Sequence, residues 1–276
     1  MSFRAGMSVV GIAMMFLGAA ASLAGGQEPK KDADISLPDV QLEINAFQTL
    51  QQFEFSFSQM EQLRKWAKET AEKDRPRENK TSREYAEKLR ELHKALAAND
   101  DERAGQLNDD LGELRESQMP TVDDGVDITA EARKHAAGAF RSLKPAQLAA
   151  YLGKVGDEVP DPLARLQGAL GDVRGLKGAE WRGKRDEIAD EISRLVAGFD
   201  QDKEDKVSDA VVALLIRVHD LNDAEFQKQR EDLEKAAGKL IGDIGPDEVL
   251  RHQTEYALAE LLSNPRLHAA LSLRLK

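Results

Sequence analysis

The sequence predicts an all-α protein, a long helical hairpin region followed by a multi-helix bundle. Three observations carry that prediction. Apolar residues recur at three- and four-residue spacing along nearly the whole chain after residue 38. Charged residues make up 32% and aromatics only 5%, a balance that favours helix formers over the β-branched and aromatic residues of strands. Clusters of Pro, Gly, Asn and Asp punctuate the periodic stretches.

Val40, Ile44, Phe47 and Leu50 share one face of a first helix. Met60, Leu63, Ala67 and Ala71 continue the spacing in a second, which must stop by Pro76. Asp74 to Ser82 reads as a charged loop. Tyr85, Leu89, Leu92 and Leu96 form one stripe, and Ala104, Leu107, Leu111 and Leu114 another. Asn99 to Asp101 between them favours a turn and a new N-cap, so 82–118 reads as a hairpin, with one long bent helix as the alternative. Its stripes are narrow, closer to a coiled-coil seam than to a globular core.

Met119 to Asp127 is the best candidate domain boundary, with Pro, Gly and three Asp in nine residues. Beyond it Phe140, Leu143, Leu148 and Leu152 lead to a second break at Gly156 to Pro162, where Asp161-Pro162 makes an N-cap and N1 pair. Trp181, Ile188, Ile192, Leu195 and Phe199 form a strong amphipathic stripe. Val211 to Val218 is apolar nearly all round and reads as the most buried helix. Further helices follow around Phe226 to Leu240, Tyr256 to Leu262, and Leu267 to Leu275. The expected organisation is therefore 38–118 as a hairpin region and 128–276 as a bundle.

The N-terminus carries an address. Arg4 is the only charged side chain before Glu28, and Met7 to Ala24 is apolar, short, and ends in Ser22-Leu23-Ala24. That is a secretory signal peptide, residues 1–24, with cleavage expected after Ala24 and a flexible lead-in over 25–37. An uncleaved anchor is the alternative. The expected location is periplasmic or secreted, without stable membrane insertion after cleavage, since no other segment is long and apolar enough to span a bilayer.

The formal charge of −11 becomes −12 once Arg4 is removed, which argues against general nucleic-acid binding. The chain has no Cys, so disulfides, thiolate metal sites and a Cys nucleophile are excluded.

The stretch Phe55-Ser56-Phe57-Ser58-Gln59-Met60 alternates like a strand but reads as a helix start. Ser56 at the N-cap accepts from the Gln59 N–H, Gln59 reaches back to the Ser56 N–H, and Phe55 packs toward Met60: a capping box with a hydrophobic staple. Ser58 with Glu61 is a competing box. The same template recurs at Leu221-Asn222/Glu225, at Gly245-Pro246/Glu248, and more weakly at Leu143-Lys144/Gln147 and Leu176-Lys177/Glu180, because Lys cannot accept a hydrogen bond.

Two of these starts, Phe55-Ser56-x-x-Gln59 and Leu143-Lys144-x-x-Gln147, resemble the LTxxQ motif of the Spy/CpxP-like periplasmic proteins, with Phe-Ser and Leu-Lys where that family has Leu-Thr. His93 to Leu114 resembles the long central hairpin of such proteins, and the likeness spans at most residues 40–156. It implies an ATP-independent envelope chaperone or a stress- and metal-response protein.

Little else suggests chemistry. Glu131/His135 and Glu248/His252 are i, i+4 pairs that read as solvated surface, since a metal site needs three or four converging ligands. Gly171 to Gly178 follows no strand and lacks the Gly-Lys-Ser/Thr end of a phosphate loop. No nucleophile elbow or His-Glu-x-x-His occurs. The sequence thus predicts a non-enzyme without cofactor that binds unfolded or envelope proteins. The client surface it offers is Phe53, Phe57, Met60 and Trp66, and self-association through 82–118 or metal sensing are the alternatives.

Overall fold

The computed structural model describes residues 35–156 and 158–276. The expected leader, its cleavage site after Ala24 and most of the lead-in lie outside the described residues. The chain is all-α, with twelve helices and one two-stranded ribbon among the described residues. No described helix is long and apolar enough to cross a membrane.

The chain divides into two compact units. The first takes residues 35–135, 142–155 and 259–276, and the second 136–141 and 156–258. This differs from the expected split at 119–127. That stretch makes its bonds to residues 45–80, and the apolar face of the last helix is needed to cover the first.

In the first unit, α1 (Leu37–Gln52) opens on Ser36, whose hydroxyl accepts from the Asp39 N–H at 3.3 Å. It therefore begins earlier than the lead-in allowed, and Pro38 fits the first turn because no N–H is needed there. Leu37, Val40, Leu42, Ile44, Ala46, Phe47 and Leu50 are all buried, which places apolar contacts on most sides of this helix. α2 (Phe57–Thr70) buries Leu63, Ala67 and Thr70. α3 (Arg83–Ala97) and α4 (Asp101–Gln118) form the expected hairpin, with Asn99 in the left-handed region (φ 56°) and Asp100 capping α4. Tyr85, Leu89, Leu92 and Leu96 face Ala104, Leu107 and Leu111, and α3 also packs on α1. The narrow seam is thus filled within the chain.

β1 (Asn79–Lys80) and β2 (Thr121–Val122) pair antiparallel, Asn79 opposite Val122 and Lys80 opposite Thr121. The first stretch was expected as part of a charged loop and the second as part of a domain boundary, and neither has the alternating pattern of a strand. Next come α5 (Ala130–Ser142), of which residues 130–135 and 142 belong to this unit, and α6 (Pro145–Val155).

The second unit contains α7 (Pro162–Asp172), a 3₁₀ turn (Val173–Gly175), α8 (Gly178–Ala197), α9 (Gln201–His219), α10 (Asp223–Ile241) and, to Leu258, α11 (Pro246–Ser263). α7 to α10 each pack on two neighbours and close a four-helix ring. Its core includes Leu166, Leu170, Ile188, Ile192, Val211, Leu215, Val218, Leu233 and Ala237. α9 is less buried than its composition suggested: Ile216 is 41% exposed, because a ring of four leaves each helix an outer face. Gly198 ends α8 at φ 58°, ψ −129°. A Cβ there would lie 2.6 Å from the His252 ring, so only Gly fits. α12 (Leu267–Arg274) returns the chain to the first unit, where Leu267, Ala270 and Leu271 are buried and the helix packs on α1, α2 and α3.

Candidate functional site

The two motif-like helix starts meet in the first unit. Ser56 is the N-cap of α2, and both arms of its capping box are formed, which decides between Ser56/Gln59 and Ser58/Glu61. The Gln59 side-chain oxygen accepts from the Ser56 N–H at 2.9 Å, and the Gln147 oxygen accepts from the Lys144 N–H at 3.0 Å. Each amide nitrogen then crosses to the other copy. Gln59 Nε2 donates to the Ser142 carbonyl at 2.8 Å and to Gln147 Oε1 at 3.1 Å. Gln147 Nε2 donates to the Glu54 and Phe53 carbonyls at 3.0 and 3.1 Å and to Gln59 Oε1 at 3.0 Å.

The bonding pattern is two-fold. Ser142 stands two residues before Lys144, as Glu54 stands two before Ser56. Lys144 cannot cap α6 with its own side chain, yet Gln147 satisfies its N–H, so the weaker copy works through its Gln alone. The junction also closes α1. Gln147 takes the Phe53 and Glu54 carbonyls just past the helix end, and Lys154 Nζ adds a bond to the Gln51 carbonyl at 2.7 Å.

The aromatic residues around this junction separate into two groups. Phe53 is 0% exposed and stacks on Tyr151, centroids 4.3 Å apart and planes within 6°. It therefore cannot belong to the expected client surface. Phe55 is buried beside it, with ring centroids 5.3 Å apart. Phe57, one residue into α2, is 63% exposed. Met60 is half-buried, and Trp66 packs its ring 4.8 Å from His135. Leu143 is half-buried. Burial pushes the Tyr151 hydroxyl up to about 12, helped by the charge of Glu260.

Two ionic clusters brace the same unit. Glu43, on buried α1, accepts from Arg266 and lies 2.6 Å from His93 Nε2. Burial pushes its carboxyl upward, but the hydrogen bonds to His93 and Arg266 outweigh that and hold it below its ordinary value. The second cluster joins the 71–82 and 119–129 segments. Arg75 binds Asp123 through both Nη atoms at 2.6 and 3.2 Å, and Arg75 and Arg77 donate to the Gly125 carbonyl at 3.0 and 2.7 Å. Glu72 takes Arg77 and the Asp127 N–H. The hydrogen bond from Arg75 holds the Asp123 carboxyl below its usual range.

Sequence reasoning found each Gln as a cap but not their pairing. It missed Tyr151, four residues after Gln147, and it read Arg75 and Arg77 only as part of a charged loop and Asp123 only as part of a candidate domain boundary. His252 Nδ1 lies 2.8 Å from the Leu195 carbonyl, and His135 faces Trp66. Among the described residues no three His, Cys, Asp or Glu gather closely enough to hold a metal ion. Compared with known proteins, the chain matches no family model, no curated protein and no solved structure.

Proposed function

We propose that this chain is an exported, non-enzymatic helical protein that binds other proteins, in the manner of an ATP-independent envelope chaperone or stress-response protein. The observation that carries the reading is the reciprocal Gln59–Gln147 junction, which makes the two LTxxQ-like starts one structural unit. Beside it stands Phe57, a large apolar side chain held out to solvent on a rigidly capped helix start. An exposed aromatic on a fixed backbone contacts apolar client segments at little entropic cost. Phe53 has no part in that contact.

Light scattering by a heat-aggregating client, with and without the chain lacking residues 1–24, tests the reading. Suppression at stoichiometric amounts, weakened by Phe57→Ser, is expected. No suppression at any ratio up to a several-fold excess overturns it.

A further inference from the structure

We propose that residues 119–129 form a two-stage strap, whose outer half, 119–125, opens independently of the rest of the first unit when the Arg75–Asp123 lock is released. Three observations carry this. First, no residue from 119 to 129 is buried, and from 71 to 82 the buried side chains are the charged ones of Glu72 and Arg77. Apolar burial, the usual adhesive of a chain segment, is therefore nearly absent, and polar contacts must hold the strap.

Second, those contacts divide in two. The outer half is held by the bidentate Arg75–Asp123 pair, the Gly125 carbonyl under both guanidiniums, the Asp123 N–H to the Glu78 carbonyl at 2.9 Å, the two-residue ribbon, and Asn45 on α1 donating to Asp124 at 3.2 Å. Arg75 and Asp123 keep about a third of their side-chain surface in water, 34% and 28%. The inner half is held by buried groups. Glu72 takes the Asp127 N–H at 2.5 Å, the Thr129 N–H reaches Ser263 Oγ at 3.0 Å, and the Thr129 hydroxyl donates to the Thr70 carbonyl at 2.7 Å.

Third, strain sits at the outer end. Met119 ends α4 with φ 46° and ψ 53°, a left-handed conformation that a residue with a Cβ adopts at a cost, and its side chain is 84% exposed. Pro120 follows with φ fixed, so the backbone pivots at one point. Arg75 and Arg77 are like charges in one cluster, and the carboxylates of Asp123 and Glu72 lie between them. Asp123 is thus the keystone of the outer lock. Opening leaves the two guanidiniums facing water and frees the Asn45 edge of α1.

Amide-resolved hydrogen exchange on the chain lacking residues 1–24 tests this, with wild type, Asp123→Asn, Arg75→Gln and Glu72→Gln compared below the melting temperature of each. In Arg75→Gln the Asp123 amide, and in Asp123→Asn the amide of residue 123 after division by its intrinsic rate, should exchange roughly tenfold faster or more, while the Asp127 and Thr129 amides keep wild-type rates. Adding ~1 M salt to wild type should act in the same direction, because it screens the half-exposed pair and not the buried one. Glu72→Gln should accelerate both halves; if that variant does not fold, the other two and the salt titration decide alone. An unchanged Asp123 amide in Arg75→Gln overturns the proposal. So does acceleration of all three amides together in that variant, which would mean the strap leaves only with the whole unit.

Discussion

The side-chain amides of Gln59 and Gln147, 88 residues apart, donate to each other in both directions at 3.1 and 3.0 Å. Each also serves its own helix start, so truncating either strands partners on both sides. Gln147→Ala leaves the Phe53 and Glu54 carbonyls and the Lys144 N–H without their partner, and should cost about 2–3 kcal/mol. Gln59→Ala, at a wetter position, should cost about 1–2 kcal/mol, and the double variant less than the sum by about 1 kcal/mol. Urea unfolding followed by Trp66 fluorescence in a Trp181→Phe background reports on this unit alone.

Phe53 and Phe57 are four residues apart in sequence and opposite in role. Phe53→Ala empties a stacked, fully buried site and should lower stability by about 3–5 kcal/mol. Phe57→Ser should stay within about 0.5 kcal/mol of wild type. Matching denaturation curves for Phe57→Ser, beside weakened client protection, would separate binding from folding.

Tyr151 should ionise near pH 12. A phenol whose folded value is raised above the ordinary 10.0 favours the folded state below that value and loses the contribution as pH climbs toward 12. Ultraviolet titration should show a late step that Tyr151→Phe abolishes.

Glu43 predicts the opposite pH response. Its folded value is depressed, so its contribution is present above the ordinary carboxylate range and fades as pH falls through the folded value. Glu43→Gln should remove about 3 kcal/mol at neutral pH by leaving Arg266 without its counter-charge and taking the carboxylate from His93, and should flatten the acid limb of the stability profile.

Gly198→Ala should destabilise the second unit by roughly 2 kcal/mol or more, from backbone strain together with the contact to His252. Adding His252→Ala relieves only the contact, so calorimetry of the double variant should recover part of the loss, never all of it.

Local signals in the sequence predicted local structure well. The Ser56 box, a cap within Asn99–Asp101, the Asp161 cap and the α3–α4 stripes each depend on residues within a turn or two, and each is present in the structure. What stayed hidden depends on distant partners. Burial of Glu43 needs Arg266, 223 residues further on. The charged stretch around Arg75 and Arg77 looks solvated until Asp123 arrives from the far side of the hairpin. A hydrophobic period has no way to encode such pairs, because charge partners carry no repeat.

The interleaving of the two units has a consequence in time. The first unit needs α12, which lies roughly a hundred residues beyond the last earlier segment of that unit. A nascent polypeptide emerging N-terminus first therefore holds α1 and α2 without their lid through the whole synthesis of the second unit. Such late closure favours slow assembly, and it exposes the waiting helices to holdases and proteases before the final turns arrive.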